Sequence, residues 1–335
     1  MAPEILKTSW LNRETQFSAF ANGILLDFWR TREERQFMGV DDVPIHYASF
    51  CSSCHDKTLV ILPGRSESYV KYTEVAYDFY HLGYDIFIID HRGQGRSGRM
   101  LSDRQKGHVE AFDHYVDDLA KFVELELAPR QSHRCYALAH SMGGAIFSRF
   151  LQRHPEPIFR AVALCAPMFG INLPMPRWLA NFLVNQAEHH VKRRNAYALS
   201  TGQWQPSPYF INTLTHSYAR YQRYLRYYAD YPELRLGGPT YHWMRESMLM
   251  GDNLIENASK IQTPLIVLQA SEDKVISNRE ILAFCESRQR AGTGKEEQKP
   301  LVIQGAHHEI LFENDALRAQ ALNAICDFFD QNNLV

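Results

Sequence analysis

The sequence predicts an α/β fold in which a mostly parallel, doubly wound sheet carries an inserted helical cap. From residue 40 onward, short apolar runs alternate with amphipathic helical stretches, a pattern typical of parallel strands covered by helices. Between residues 171 and 250 the alternation stops, and the sequence favours helices and loops. Strand patterns resume afterwards, so this segment should cover the carboxyl edge of the sheet, where open α/β sheets bind ligands.

Composition excludes several classes of protein. Of the 335 residues, 45% are apolar and 22% are charged, which provides enough apolar surface for a core and excludes disorder as the main state. The net charge of −2 gives no general attraction to nucleic acid. The longest strongly apolar stretch, residues 161–176, contains three prolines and is shorter than the roughly 20 residues that cross a membrane.

The N-terminus and the cysteines indicate a cytoplasmic protein. No basic region followed by an apolar one opens the chain, so we expect no signal peptide. Six cysteines are too few for a disulfide framework in a chain of this length, which favours a reducing compartment. Cys51 and Cys54 form a C-S-S-C motif that suggests a zinc or redox site, but no second C-x-x-C completes a tetrahedral zinc site.

The same patterns divide the chain into parts. Residues 1–35 are predicted to form an N-terminal amphipathic helical segment, with a helix over 12–34 whose apolar residues recur at i, i+3, i+4 and i+7. This helix should pack against the body of the protein. A helix on a lipid surface is the alternative, because Trp10 and Trp29 flank it. Residues 36–170 and 251–335 are assigned to the core and 171–250 to the cap.

The core elements follow from their apolar patterns. Strands are predicted at 43–50, 58–62, 85–89, 134–139, 161–165, 265–270 and 300–303, and helices at 71–82, 109–127, 142–153, 278–290 and 315–330. The cap contains nine Lys or Arg against four Asp or Glu, and 14 of the 41 aromatic residues. Apolar side chains of this kind can hold an acyl chain, and a cationic one can meet a phosphate.

The strongest local motif is A-H-S-M-G at residues 139–143. It follows an apolar strand and opens a helix, the setting in which a serine is presented on a sharp strand-to-helix turn. Small residues two positions before and after the serine let the strand and the helix approach closely. Gly143 meets this need, and Ala139 adds one methyl group. Ser141 is therefore the predicted nucleophile, and an ordinary N-capping serine is the alternative.

A serine hydroxyl needs a base, and after such a turn the acid and then the histidine follow the serine along the chain. S-E-D-K at 271–274 follows one predicted strand, and Q-G-A-H-H-E at 304–309 follows the next. Asp273 should orient the imidazole, and His308 should accept the serine proton. Spacing alone leaves Glu272 and His307 as alternatives.

The oxyanion formed by attack on an ester requires preorganised backbone N–H donors. One donor should be Met142, the residue after the nucleophile. The other should come from P-G-R-S-E at 63–67, which follows the strand 58–62. Gly64 permits a tight turn in this loop, and the Arg65 amide is the candidate donor. A plain turn without a catalytic role is the alternative.

These residues resemble the α/β-hydrolases of the monoacylglycerol lipase and lysophospholipase group, and within it the lysophospholipases of the Gram-negative bacterial L-two type. The likeness covers nearly the whole chain. The strings that carry it, besides A-H-S-M-G-G-A at 139–145, are P-G-R-S-E-S-Y-V-K-Y at 63–72, D-H-R-G-Q-G-R-S at 90–97, A-P-M-F-G-I at 166–171, G-G-P-T-Y-H-W at 237–243 and G-A-H-H-E-I-L-F-E at 305–313.

The resemblance implies an α/β-hydrolase fold and a set of site residues. It implies Ser141 as nucleophile, Asp273 as acid and His308, rather than His307, as base. It places the oxyanion loop on residues 63–65. Two positions depart from the family pattern: Ala139 stands for glycine, and the first residue of the oxyanion loop is proline instead of histidine.

The predicted function is hydrolysis of the acyl ester of lysophospholipids through an acyl-serine, a scheme that needs no metal and no organic cofactor. A monoacylglycerol lipase or a small-ester carboxylesterase is the alternative. A proline iminopeptidase is disfavoured because its substrate ammonium calls for an acidic cap. A non-catalytic hydrolase-fold lipid-binding protein is a remote alternative, since every triad position is filled. The basic cap also predicts peripheral contact with an anionic membrane surface, on the cytoplasmic face of the inner membrane.

Overall fold

The computed structural model describes residues 9–130, 134–290 and 299–333. Its strands are β1 (Glu33–Met38), β2 (Pro44–Phe50), β3 (Lys57–Leu62), β4 (Tyr84–Ile89), β5 (Arg134–His140), β6 (Phe159–Cys165), β7 (Leu265–Ala270) and β8 (Leu301–Ile303). Its helices are α1 (Phe17–Asn22), α2 (Ile24–Arg30), α3 (Thr73–His81), α4 (Asp113–Phe122), α5 (Met142–Arg153), α6 (Arg177–Glu188), α7 (Val191–Arg194), α8 (Tyr218–Asp230), α9 (Tyr241–Glu256), α10 (Asn278–Arg290) and α11 (Asp315–Gln331).

The strands form one eight-stranded sheet in the order β1-β2-β4-β3-β5-β6-β7-β8. β2 is antiparallel to both β1 and β4, and every other neighbouring pair is parallel. The predicted mostly parallel sheet is confirmed. Because β3, β5, β7 and β8 run in the same direction, the loops that follow them meet at one edge of the sheet. These loops carry the residues predicted to form the site.

Burial explains which strands the sequence revealed. Every residue of β4 is buried, and β3 and β5 are buried after their first residue. Such strands are continuous apolar runs in the sequence. β1 lies at the edge of the sheet and is almost fully exposed. The sequence analysis predicted no strand there, because an edge strand open to solvent keeps polar side chains on both faces.

The predicted continuous helix over 12–34 is wrong. The structure divides it into α1 and α2 at Gly23, whose φ of −106° and ψ of −93° are not helical, and β1 already begins at Glu33. The apolar face of the segment packs against the body of the protein, as the preferred interpretation predicted. Phe28 is buried and stacks on Phe50 of β2, with ring centroids 4.3 Å apart.

The segment 171–250 contains α6, α7, α8 and most of α9, and no strand. α9 continues to Glu256, past the predicted end of the cap, and packs against cap helix α6 as well as core helices α5 and α10. The division of the chain into core and cap therefore stays a prediction. In the part of the chain that the structure describes, no helix is both long and apolar enough to cross a membrane.

A buried ion cluster joins the cap to the core. Arg220 on α8 donates to both carboxylate oxygens of Glu74 on α3 at 2.8 Å, and to Asp315 Oδ1 on α11 at 2.9 Å. Arg13, from the N-terminal segment, pairs with the same Glu74 and with Asp78 Oδ1 at 2.6 Å. All these side chains are buried or nearly so. The cluster thus fixes three separate parts of the chain against one another.

Candidate active site

Ser141 lies on a sharp turn between β5 and α5. Its φ of 51° and ψ of −115° lie where side-chain-bearing residues are rare, so the surrounding structure must hold the residue there. The neighbouring chain leaves no room for a side chain at Gly143. A Cβ at this position would lie 2.3 Å from Leu62 O and 2.6 Å from Pro63 O. Glycine is therefore required for the helix to start this close to the loop after β3.

The structure brings Ser141, His308 and Asp273 into one hydrogen-bonded chain. Ser141 Oγ lies 3.0 Å from His308 Nε2, and His308 Nδ1 lies 2.7 Å from Asp273 Oδ2. The three residues are only 6%, 5% and 8% exposed, respectively. A histidine in this position can take the serine proton at Nε2 while a carboxylate holds its Nδ1–H. The predicted residues therefore meet, and their roles stay predictions.

Asp273 is held as a carboxylate. Its Oδ1 accepts the backbone N–H groups of Val275 and Ile276 at 2.8 and 3.0 Å. Burial by itself would raise the pKa of Asp273, but the hydrogen bond and charge of His308, together with these two N–H groups, lower that pKa below its usual value. An ionised Asp273 favours the Nδ1–H tautomer of His308, which leaves Nε2 able to accept a proton.

Glu272 and His307 do not join this chain. His307 Nε2 lies 3.7 Å from Glu272 Oε2, and its ring lies against that of His216, with centroids 3.8 Å apart and the planes tilted by 31°. Potential ligand atoms of these three residues lie within 4.8 Å of one another, so they could offer ligands to a divalent cation. The C-S-S-C cysteines are exposed and belong to no such group among the described residues. That the reaction needs no metal stays a prediction.

The loop after β3 is held by two residues of the D-H-R-G-Q-G motif. His91 Nε2 donates to Pro63 O at 3.1 Å. Gln94 Nε2 donates to Gly64 O at 2.7 Å, and Gln94 Oε1 accepts the Ser66 N–H at 3.3 Å. Burial lowers the pKa of His91 to about 4, so its ring is neutral at neutral pH. These two residues of the motif therefore fix the loop. Pro63, which stands where the family has histidine, is held through its carbonyl oxygen.

This arrangement leaves one N–H of the loop unused. The N–H groups on either side of Arg65 are engaged by Glu67 and Gln94. The Arg65 N–H has no hydrogen-bond partner within the described chain. The Met142 N–H, in the first turn of α5, likewise has none among the residues described. Both predicted oxyanion donors are therefore available, as the prediction requires.

The sequence analysis missed a buried network beneath the loop. Glu67 accepts hydrogen bonds from the Gly64 N–H at 2.5 Å, Tyr72 OH at 2.6 Å and Lys71 Nζ at 2.7 Å. Lys71 also pairs with Glu309 Oε1 at 2.6 Å. The only local sign of this network is the i, i+4 spacing of the glutamate and the lysine, which on its own suggests a surface pair.

His140, the residue before Ser141, connects this network to His308. Its Nδ1 lies 3.3 Å from Glu67 Oε2, and its Nε2 lies 3.2 Å from His308 O. Both neighbours are acceptors, so both ring nitrogens can donate only when the imidazole is protonated. Burial would lower the pKa of His140, but the charge and hydrogen bond of Glu67 raise it. Its partners lie 73 and 168 residues away, so no local pattern could reveal them.

A cavity of about 310 Å³ lies in the cap, between the segment 171–175, α6 and α9. Its lining includes Met175, Leu183, Val184, Met244 and Met248. Ile171, which lines the cavity, lies three residues after Met168, whose N–H donates to Ser141 O at 2.9 Å. Apolar cavities of a few hundred Å³ are typical binding sites for small apolar ligands.

Comparison with known proteins identifies relatives over nearly the full chain. Residues 53–315 match the Hydrolase_4 family, described as serine aminopeptidase, S33. The chain is 54% identical to Lysophospholipase L2 of Escherichia coli strain K12, covering 97% of this chain and 95% of the relative. It is 32% identical to a probable lysophospholipase L2 of Haemophilus influenzae, covering 95% and 98%.

Solved structures show the fold. A monoglyceride lipase from Saccharomyces cerevisiae aligns with a TM-score of 0.68 at 18% identity, covering 90% of this chain and 96% of that one. A carboxyl esterase from Bacillus coagulans aligns with a TM-score of 0.70 at 16% identity, covering 90% and 98%. The predicted α/β-hydrolase fold is confirmed. Taken with the sequence matches, the chain belongs to the Hydrolase_4 family of serine hydrolases and, within it, to the lysophospholipase L2 family.

Proposed function

We propose that this protein hydrolyses the acyl ester of lysophospholipids, releasing a free fatty acid and a glycerophospho-alcohol through an acyl-serine. The observation that carries the proposal is the buried chain from Ser141 through His308 to Asp273. It occurs in a chain whose relatives at 54% and 32% identity are named lysophospholipases. The geometry supports the type of reaction, and the relatives support the class of substrate.

In the proposed mechanism, Ser141 Oγ attacks the ester carbonyl while His308 Nε2 takes the serine proton. Asp273 stabilises the imidazolium that forms. The carbonyl oxygen becomes an oxyanion that accepts the N–H groups of Arg65 and Met142, each typically contributing about 10²–10³ to kcat. The glycerol oxygen leaves with the proton from His308, and the acyl group stays on Ser141. Water, activated by the same histidine, then releases the fatty acid.

The cavity in the cap is the proposed site of the acyl chain. Three methionines line it, and their flexible thioethers adapt to acyl chains of different shape. A monoacylglycerol presents the same ester and acyl chain without a phosphate. A monoacylglycerol lipase from Mycolicibacterium smegmatis, 25% identical over 247 residues, makes hydrolysis of the neutral ester the second candidate.

Fatty-acid release from a lysophospholipid and from a monoacylglycerol with the same acyl chain tests the proposal. Wild type, Ser141→Ala and Ser148→Ala are compared. Ser148 on α5 is buried, and its Oγ has no hydrogen-bond partner among the described residues. Its alanine variant is therefore a matched control that should keep its activity. We expect Ser141→Ala to lose about 10⁴-fold or more in kcat on the lysophospholipid.

Three outcomes would contradict parts of this proposal. Full activity of Ser141→Ala would refute the mechanism. Serine-dependent release from the monoacylglycerol alone would keep the mechanism and replace the substrate class. A wild-type protein that neither releases fatty acid nor reacts with a fluorophosphonate probe would refute catalysis and favour the alternative of a non-catalytic lipid-binding protein.

We also propose a peripheral contact with anionic membrane surfaces from the cytoplasmic side. Cap helix α6 presents Trp178 and Phe182 at i and i+4, with 71% and 56% of their surfaces exposed. Val191, 70% exposed, opens the short helix α7 and is followed by Lys192 and Arg193. Exposed aromatic and aliphatic side chains beside cations are typical of surfaces that lie in the lipid interface. The contact would bring the cap to the membrane that holds the substrate.

A further inference from the structure

We propose that the side chain of Arg65 binds the phosphodiester group of the lysophospholipid while its backbone N–H binds the ester oxyanion. The inference rests on the proposed function and deepens it. It names the residue that would distinguish a charged lysophospholipid from a neutral monoacylglycerol. The sequence analysis looked for the phosphate-binding cation in the cap, and the geometry points instead to the loop after β3.

The guanidinium of Arg65 lies between this loop and the cap. Its Nη2 donates to Gly237 O in the cap at 2.5 Å, and its Nη1 donates to Ser66 Oγ at 3.1 Å. Its Cζ lies 5.2 Å from the centroid of the Trp243 ring on α9. The residue remains partly exposed. The side chain therefore extends from the oxyanion loop toward the cap, and the residue as a whole is neither fully buried nor fully exposed.

Arg65 is a desolvated cation without an anion. Its Nε is shielded from solvent and has no hydrogen-bond partner among the described residues. No carboxylate of the described chain forms an ion pair with it, and the titratable groups that act on it are Tyr115, Tyr224 and Tyr197. Desolvation lowers the pKa of Arg65 to about 10, so the group is still charged at neutral pH. Nη1 and Nη2 each keep a second hydrogen that their hydrogen bonds to Ser66 and Gly237 do not use, and a phosphate can accept both.

Several basic side chains of the cap already have anionic partners. Arg194 pairs with Glu110 at 2.6 Å, and Arg220 lies in the buried cluster with Glu74. Much of the positive charge that the sequence analysis found in the cap is therefore neutralised by carboxylates. Arg65 differs from these residues because its hydrogen bonds reach only a carbonyl and a hydroxyl.

The length of the side chain fits the substrate. In a 1-acyl lysophospholipid, the number of bonds from the ester carbonyl carbon to the phosphorus equals the number from the backbone nitrogen of an arginine to its Cζ. An ester whose oxyanion is held by the Arg65 N–H can thus place its phosphate beside the guanidinium of the same residue. A monoacylglycerol has a hydroxyl at that position and gains no charge-assisted contact.

Two variants act on this guanidinium in different ways. Arg65→Gln removes the charge and keeps the backbone N–H. Gly107→Ala acts from outside, because a Cβ there would lie 2.6 Å from Arg65 Nη2 and displace the end of a flexible side chain. The matched control is Arg235→Gln in the cap. The Arg235 guanidinium also meets a carbonyl, Tyr228 O at 2.6 Å, and lies 4.9 Å from the ring of Trp204.

The measured quantity is the ratio of kcat/KM for a lysophospholipid to kcat/KM for a monoacylglycerol with the same acyl chain. We expect this ratio to fall at least about tenfold in Arg65→Gln, the effect of losing a hydrogen bond to a charged group. The ratio should fall less in Gly107→Ala. It should also fall less in Arg65→Lys, because lysine keeps a positive charge but lacks the paired N–H donors of a guanidinium. It should be unchanged in Arg235→Gln. Glycerophosphocholine should also inhibit monoacylglycerol hydrolysis more weakly in Arg65→Gln than in wild type.

An unchanged ratio in Arg65→Gln, with a wild-type thermal melt, would overturn the inference whatever the absolute activity. Equal inhibition of both proteins by glycerophosphocholine would overturn it as well. The proposed function fails differently: either the wild type releases no fatty acid from a lysophospholipid, or Ser141→Ala still does.

Discussion

Glu67 is the residue on which the oxyanion loop most depends. Its carboxylate accepts the Gly64 N–H, receives hydrogen bonds from Tyr72 and Lys71, and faces His140. Burial would raise the pKa of Glu67, but Lys71 and His140 lower it well below its usual range. At neutral pH an anion therefore lies beneath the turn that carries one of the two proposed oxyanion donors.

Replacing Glu67 by Gln should lower kcat about tenfold to a hundredfold on any ester substrate, because a neutral amide cannot accept from all these donors and the oxyanion turn loosens. The free energy of unfolding should fall by about 1–3 kcal/mol. Tyr72→Phe removes a single donor and should have a smaller effect on both. Steady-state hydrolysis and thermal melts measure the two quantities. Wild-type kcat in Glu67→Gln would mean that His91 and Gln94 are enough to hold the loop.

Residues differ in how far the sequence can predict them. Ser141, Asp273 and His308 each follow a recognisable strand in a fixed chain order, so local patterns predicted where they lie, but the choice of His308 over His307 required the family resemblance. Glu67 and Glu309 were missed, because burial of a charged residue depends on partners that are distant along the chain. The Arg65 amide was predicted from its position after a strand, whereas the surroundings of its side chain depend on the cap and could not be.

At the scale of the elements, Arg220 fastens α8 to α3 and α11. Arg220→Met keeps much of the side-chain length but leaves Glu74 and Asp315 buried without this partner. The free energy of unfolding should fall by about 3–5 kcal/mol, measured by denaturant unfolding followed by circular dichroism.

Arg226→Met on the same helix is the matched control. It removes a pair with Asp230 in which both side chains are more than half exposed, so the expected change is below about 1 kcal/mol. Equal losses in the two variants would contradict the role of the cluster.

Elements with a buried face were predicted well, and those without one were not. β7 and α10 have the predicted bounds, because their apolar spacing matches the period of a strand or a helix. The exposed edge strand β1 carries no such pattern. The break at Gly23 interrupts a helical period that continues on both sides of it, so the apolar spacing alone predicted one helix where there are two.

For the whole molecule, buried ionisable groups set a pH window of stability. Burial would raise the pKa values of Glu74, Glu67 and Asp273, but their partners lower them. The stability they add is therefore present above about pH 4.5 and lost as the pH falls through their folded values.

Burial would lower the pKa of His140, but Glu67 raises it. Its contribution is complete below about pH 6.5 and lost as the pH rises through its folded value. Burial raises the pKa of Asp90 to about 7, so its contribution is lost as the pH rises from about 4 to about 7, whereas burial lowers the pKa of His91 to about 4, so its contribution is lost as the pH falls from about 6.5 to about 4. The two effects largely offset each other within this window.

The melting temperature should therefore be highest between about pH 5 and pH 6.5 and should fall on both sides. Thermal melts in buffers of constant ionic strength measure this. In Glu67→Gln, where His140 no longer faces a carboxylate, the melting temperature should decline less steeply as the pH rises. A melting temperature that keeps rising above about pH 8 would contradict the assignment of His140.

Membrane contact is also a property of the whole surface. We expect binding to vesicles that contain phosphatidylglycerol to weaken as salt rises from about 50 to about 300 mM, because the cationic part of the contact is screened. Trp178→Ala combined with Phe182→Ala should weaken it further. Leu282→Ala, which removes an exposed apolar side chain from core helix α10, is the control. Sedimentation with vesicles measures binding, and salt-independent binding or none would count against the proposal.

The contacts between the cap and the loop after β3 have a consequence for the evolution and engineering of this family. Arg65 donates to Gly237 O, and Tyr228 OH on cap helix α8 donates to Ser66 O. Two neighbouring residues of the loop thus hydrogen-bond to the cap. A cap transferred from a relative would therefore lack the loop residues that it contacts in its own protein. Chimeras that transfer residues 63–66 together with the new cap should be the ones that retain turnover. The cap and this short loop would then be inherited as one unit, although more than a hundred residues separate them along the chain.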